Sequence, residues 1–119
     1  MATRKEHDFI GELEISDDVY YGVQTFRAVE NFKMTGRQIK DYPFFVKAFA
    51  QIKKAAALAN KEVGVLCPER ADAIAKAADE IIAGKYHDQF VVDMIQGGAG
   101  TSTNMNTNEV ITNVALEIL

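Results

Sequence analysis

Apolar positions along the chain fall into three stretches with helical spacing, preceded by a shorter broken segment. From Asp41 onward, Phe45, Phe49, Ile52, Ala56, Ala59 and Val63 recur at alternating steps of four and three residues. That spacing predicts a helix burying this row. Lys47, Gln51, Lys54 and Lys61 fall largely on its other faces, Ala55-Ala56-Ala57 permits close approach of a neighbouring helix, and Gly64 is a natural stop. Pro68 then opens a second helix, where its missing N–H costs nothing and Glu69 complements the positive end of the helix dipole. Its apolar row is Ala71, Ile74, Ala78 and Ile81, with Gly84 placed to cap the end. Two helices joined by so short a turn are expected to pack antiparallel.

Residues 85–100 read as an irregular connection. A third helix begins between Thr101 and Asn106 and runs to the end of the chain. Met105, Val110, Ile111, Val114, Leu116, Ile118 and Leu119 predict burial on several of its sides. It reaches Leu119 with no glycine, proline or polar stop, so the sequence is expected to be part of a longer chain. Upstream, residues 8–24 carry small apolar clusters broken by Gly11, Ser16, Asp17, Asp18 and Gly22, a pattern of turns and brief strands. A short helix follows over Gln24–Phe32 and ends near Gly36. The fold class expected is mainly α with short N-terminal strands or turns, in one domain covering residues 1–119.

Composition narrows the classes. Hydrophobic residues at 48% and charged residues at 25% suit a globular protein, and a net charge of -4 gives no attraction to nucleic acid or anionic lipid. The apolar runs are short and interrupted by lysines, so no membrane span is expected, and residues 1–7 form a polar lead-in without a signal core. The default location is cytoplasmic. Cys67 is the single cysteine, read as a small, partly buried thiol. His7 lies in the polar tail and His87 in a polar loop, neither with a second ligand at helical spacing, so no metal site is expected. Asp88 and Asp93 flank an apolar run as turn residues.

One motif carries chemistry. Gln96-Gly97-Gly98-Ala99-Gly100 leads into Thr101-Ser102-Thr103-Asn104-Met105-Asn106. Glycines let the backbone turn sharply or approach a ligand, and a helix start offers free N–H groups and a dipole that favour an anion. The same residues also describe an ordinary capped helix entry, and composition leaves both readings open. A phosphate loop is excluded because no lysine follows at the required spacing, and a dinucleotide fingerprint because the third glycine and the βαβ strands are missing. An anion site without a cofactor survives, with a small carboxylate as the natural ligand.

Four segments, Tyr20-Tyr21-Gly22-Val23-Gln24-Thr25, Arg27-Ala28-Val29-Glu30-Asn31-Phe32, the stretch 53–60 and Ala77-Ala78-Asp79-Glu80, join the glycine motif above in a pattern along most of the chain. Together they resemble the aspartases of the aspartase/fumarase superfamily. Most specific is Asp93-Met94-Ile95-Gln96-Gly97-Gly98-Ala99-Gly100-Thr101-Ser102-Thr103-Asn104-Met105-Asn106, continuing through Asn108-Glu109-Val110-Ile111. Fumarases usually carry Gly-Ser-Gly-Thr-Gln and Tyr-Trp-Gly at the corresponding places, so both departures point to aspartase. The resemblance implies the N-terminal helical domain of that fold, truncated at or just before a central helical bundle. It also implies a homotetrameric parent whose active sites are built across subunits.

The implied reaction converts L-aspartate to fumarate and ammonium by β-proton abstraction and anti elimination, without a cofactor. The implied partner is a small-molecule dicarboxylate. By resemblance Thr101 contacts the substrate, Gly100 and Ser102 shape the cradle, and Asn104 and Asn106 hold loop and helix together. No catalytic residue is expected within the chain, because the family's serine-rich loop and Ser-Thr-Asn segment would lie beyond Leu119. The chain alone is therefore expected to be inert. Malate as substrate, or a non-catalytic helical module, are the competing readings.

Overall fold

In a computed structural model describing residues 1–119, the chain forms two short strands and four helices. Strand β1 (Thr3–His7) pairs antiparallel with β2 (Glu12–Ser16), in a register that runs from Thr3 opposite Ser16 to His7 opposite Glu12. The polar lead-in is thus a strand. Its inward side chains are charged, so it has no apolar alternation to read. Arg4 donates to the carbonyls of Ser16 (2.8 Å), Val19 (2.9 Å) and Tyr21 (2.7 Å) and pairs with Glu6 at 2.7 Å. Hydrogen bonding replaces hydrophobic burial along this strand.

Helix α1 (Val23–Asn31) follows, then α2 (Pro43–Glu62), α3 (Pro68–Ile82) and α4 (Thr101–Ile118). The ends of α2 and α3 close alike. Gly64 N–H donates to Lys61 O and Val65 N–H to Asn60 O, and Gly84 and Lys85 repeat the pattern on Ile81 and Glu80. Lys54 pairs with Asp79 and Lys61 with Asp72, each at 2.7 Å. Residue numbers rise on α2 as they fall on α3, so the two helices are antiparallel.

The buried face of α2 differs from the one its periodicity predicts. Val46, Ala50 and Ala57 are buried, whereas Phe45, Ile52 and Val63 of the predicted row are exposed, Ile52 by 60% and Val63 by 72%. The core faces the row one residue further on, whose small side chains let α2 lie close to α3 and its buried Ala71, Ala73, Ala75, Ala77, Ala78 and Ile81. A second correction concerns α4. Thr103, Asn106, Thr107, Val110, Ile111, Val114 and Ala115 form one buried face, while Leu116, Ile118 and Leu119 are exposed rather than packed on several sides. A third is Cys67, which stands exposed just before α3 rather than partly buried.

The centre of the core is filled by Ile39, Val46, Ile81, Phe90, Val92, Val110 and Val114. Phe90 and Val92 come from the irregular connection, which is therefore threaded through the interior. Burying a phenylalanine contributes about 1.5–3 kcal/mol, enough to fix the path of a segment with little regular structure. No helix is long and apolar enough to cross a membrane.

Candidate functional site

The glycine loop hangs between two anchors. On its entry side stands Asp93, 5% exposed. Its carboxylate accepts the Thr35 N–H (2.9 Å), the Gly36 N–H (3.0 Å), the Thr35 hydroxyl (2.9 Å) and the Ile95 N–H (2.8 Å). The Ile95 N–H, helped by the Thr35 and Gly36 donors and against the cost of burial, holds the Asp93 carboxyl down at about 2. Main-chain pairing of Gln38 with Asp93 and the Met94 N–H on Arg37 O (2.9 Å) tie the same strip to residues 35–38. Asp93 is a linchpin between two loops rather than a simple turn residue.

Beyond Gln96 the loop is open. A Cβ added at Gly97 or Gly98 would meet nothing, and Gly97 through Ala99 are exposed. The Gly100 N–H donates back to Gly97 O at 3.0 Å, closing a turn. Gly100 then sits at φ 73°, a left-handed conformation that costs most residues about 1–2 kcal/mol, and it occupies the N-cap of α4. Glycine has no side chain to cap the helix, so the leading N–H groups are left to other partners. Gln96 Oε1 accepts the Thr103 N–H at 2.9 Å. No side chain caps α4 from Gly100, and the N–H groups of Thr101 and Ser102 have no partner in the chain. Thr101 is exposed and Ser102 half-buried.

The structure therefore brings Gly100, Thr101 and Ser102 together at one helix start, with free amides and two hydroxyls. Asn106 points the other way: fully buried, it donates to Gln89 O (2.9 Å) and accepts from Val92 N–H (3.4 Å), stitching α4 to the core-threading segment. Asn104 Oδ1 accepts from Lys53 of α2, holding the start of α4 against that helix. His7 is exposed on β1, and the His87 ring shares a 2.8 Å hydrogen bond with Ile81 O at the end of α3. No group of His, Cys, Asp and Glu converges as a metal site.

A carboxylate pair escaped the sequence reading. Glu6 of β1 and Glu109 of α4 converge on the start of α1 at Gly22. Glu6 accepts the Val23 N–H (3.1 Å). Glu109 accepts the Gln24 N–H (3.0 Å), the Thr25 N–H (2.8 Å) and the Thr25 hydroxyl (2.6 Å). Both are engaged as helix caps, which explains an α1 that has no capping side chain of its own. A helix entered from glycine was the only local signal.

A family model described as lyase matches residues 11–119. The aspartate ammonia-lyase of Helicobacter pylori (strain J99) is 63% identical over 116 residues, covering 98% of this chain and 25% of that protein. Among solved structures, a fumarate lyase:delta crystallin from Brucella melitensis superposes with a TM-score of 0.97 at 52% identity, over 99% of this chain and 26% of that one. A class II fumarase from Schistosoma mansoni follows with 0.92 at 34% identity, over 98% of this chain and 24% of that one. The chain spans about a quarter of the length of the curated relatives it matches.

Proposed function

The chain belongs to the lyase family, and from that membership we propose that it is the N-terminal domain, residues 1–119, of an enzyme that eliminates ammonia from L-aspartate to give fumarate. The observation that carries the reading at this site is the start of α4: Gly100 in a left-handed cap, with the Thr101 and Ser102 amides and hydroxyls unclaimed. In the proposed reaction the difficulty is a weakly acidic C–H beside a carboxylate. Removing that proton places a second negative charge on the same carboxylate. Fixed donors at a helix N-terminus grip this dianion more strongly than the ground state, and so lower the barrier. Thr101 is the contact assigned to the substrate carboxylate, with Gly100 and Ser102 shaping the cradle.

Aspartate is preferred to malate as substrate because the 63% identity to an aspartate ammonia-lyase exceeds the 34% to a fumarase. Tyr20-Tyr21-Gly22 and Gly98-Ala99-Gly100-Thr101-Ser102 also depart from the fumarase patterns Tyr-Trp-Gly and Gly-Ser-Gly-Thr-Gln. The same reading makes the whole protein a homotetramer. The outward apolar row of α2, with Ile52 at 60% exposure and Val63 just past the helix end at 72%, supports it by offering a face for further packing.

The test is Thr101→Val in the whole protein, followed by fumarate release from L-aspartate. Loss of one donor to a developing oxyanion is expected to lower kcat by about a hundredfold. Unchanged turnover would leave the loop a plain helix entry. A substrate panel accompanies it: turnover of malate with none of aspartate would replace the proposed substrate.

A further inference from the structure

We propose that Gln96 is a positioning residue for the cradle, clamping the two ends of the glycine loop together through Thr103; the inference rests on the functional reading above. The Gln96 Nε2 donates to the Asp93 carbonyl (2.9 Å) and to Thr103 Oγ1 (2.8 Å), while its Oε1 accepts the Thr103 N–H (2.9 Å). Both amide hydrogens are used and the oxygen is engaged, so the side-chain orientation is unambiguous: reversing it would set an NH₂ against the Thr103 N–H. Thr103 is itself buried, and its carbonyl accepts the Thr107 hydroxyl at 3.0 Å inside α4. On the other side, Asp93 is anchored by its four hydrogen bonds from Thr35, Gly36 and Ile95. The clamp therefore spans two fixed points.

Two consequences follow for the cradle. The clamp occupies the third N–H of α4, so the amides this helix start leaves free for a bound carboxylate are those of Thr101 and Ser102. It also sets the separation of the loop ends. Gly97 and Gly98 have no neighbours that would do so, since a Cβ at either would touch nothing. An exposed glycine segment has wide conformational freedom, and pinning both ends restricts the angles at which it delivers Gly100. Gln96 acts on the substrate only through this geometry.

The experiment uses the whole enzyme and three variants: Gln96→Leu, Thr103→Val and Thr103→Ser. Three quantities are measured for each: kcat and KM for L-aspartate, melting temperature, and hydrogen–deuterium exchange of the peptide covering residues 97–106. Gln96→Leu is expected to accelerate exchange and lower kcat/KM by about ten- to a hundredfold, since small misplacements of a positioned group have that effect. The melting temperature should fall by only a few degrees, so that the kinetic loss is read on folded enzyme. Thr103→Val, which loses the hydroxyl and keeps the N–H, should fall between, and Thr103→Ser should restore wild-type behaviour. If Gln96→Leu does not fold, Thr103→Val against Thr103→Ser carries the same comparison. Faster exchange with unchanged kinetics, or no change in either, overturns the proposal. A wild type inert toward L-aspartate sinks the functional reading and this inference with it, whereas an active wild type with indifferent variants sinks the inference alone.

Discussion

Replacing Gly22 with alanine sets two physical effects of opposite sign against each other. Gly22 lies at φ -122°, ψ -157°, extended backbone open to any residue, so alanine brings no torsional strain there. If Gly22 were only a flexible turn residue, alanine would stabilise the protein by about 0.4–1 kcal/mol through the unfolded chain. The structure gives the opposite sign. An alanine Cβ would collide with the carboxylate oxygens of both Glu6 and Glu109 and lie 2.9 Å from Glu109 Cδ. These side chains are flexible in principle, but here they cap α1, so moving them off the Cβ takes them off their donors.

If Glu6 yields, the Val23 N–H is lost; if Glu109 yields, the Gln24 and Thr25 N–H groups and the Thr25 hydroxyl go with it. A hydrogen bond to a charged group contributes about 1.5–3 kcal/mol. Offset by the alanine gain, loss of a single such bond already leaves a net destabilisation of about 0.5–2.6 kcal/mol, and the Tm falls by roughly 4 °C for each kcal/mol. Equilibrium unfolding in urea, checked by thermal melting, measures it. A stability equal to or above wild type would refute the idea that Gly22 exists to admit the two carboxylates.

Acid titration tests the other buried anchor. Asp93 is held at about 2, below its ordinary 3.8, so its contribution is complete above the ordinary value and is lost as pH falls through the folded one. Asp93→Asn should lower stability at neutral pH, because an amide hydrogen then faces the N–H donors, and should flatten the wild-type decline between about pH 4 and pH 2. An unchanged acid slope in urea unfolding at stepped pH would contradict it. The orientation of α2 is checked by a pair of variants in this chain. Ile52→Lys on the outward row should change stability by no more than about 0.5 kcal/mol. Ala50→Leu on the buried row should cost about 1–3 kcal/mol by overpacking. A collapse of the melting transition in Ile52→Lys would place the core on the other face.

Most helix positions were legible because their causes are local. Pro68, Gly64 and Gly84 act within a turn of where they stand, and a four-and-three apolar rhythm marks α2 however the chain packs around it. The face that α2 buries was not legible, because the helix carries two apolar rows. Only the approach of α3 decides that the small row of Val46, Ala50 and Ala57 goes inside and the bulkier Phe45, Ile52 and Val63 stay outside. Strand β1 was hidden for a related reason: Arg4 and Glu6 are satisfied inside by hydrogen bonds, which leave no hydrophobic trace.

For the candidate site, the sequence by itself placed Gly100, Thr101 and Ser102 at a helix start, since glycine followed by hydroxyl residues is a local instruction to the backbone. What holds that start in position came from the tertiary structure. Glu109 lies 85 residues from the Gln24 it caps, Asp93 58 residues from Thr35, and Lys53 51 residues from Asn104. Even the Gln96 clamp, spanning only seven residues, depends on a turn bringing its amide back onto Thr103. Periodicity and capping record what a residue does to its own segment. Which distant carboxylate or amide meets a free N–H is fixed only when the core closes and brings the segments together.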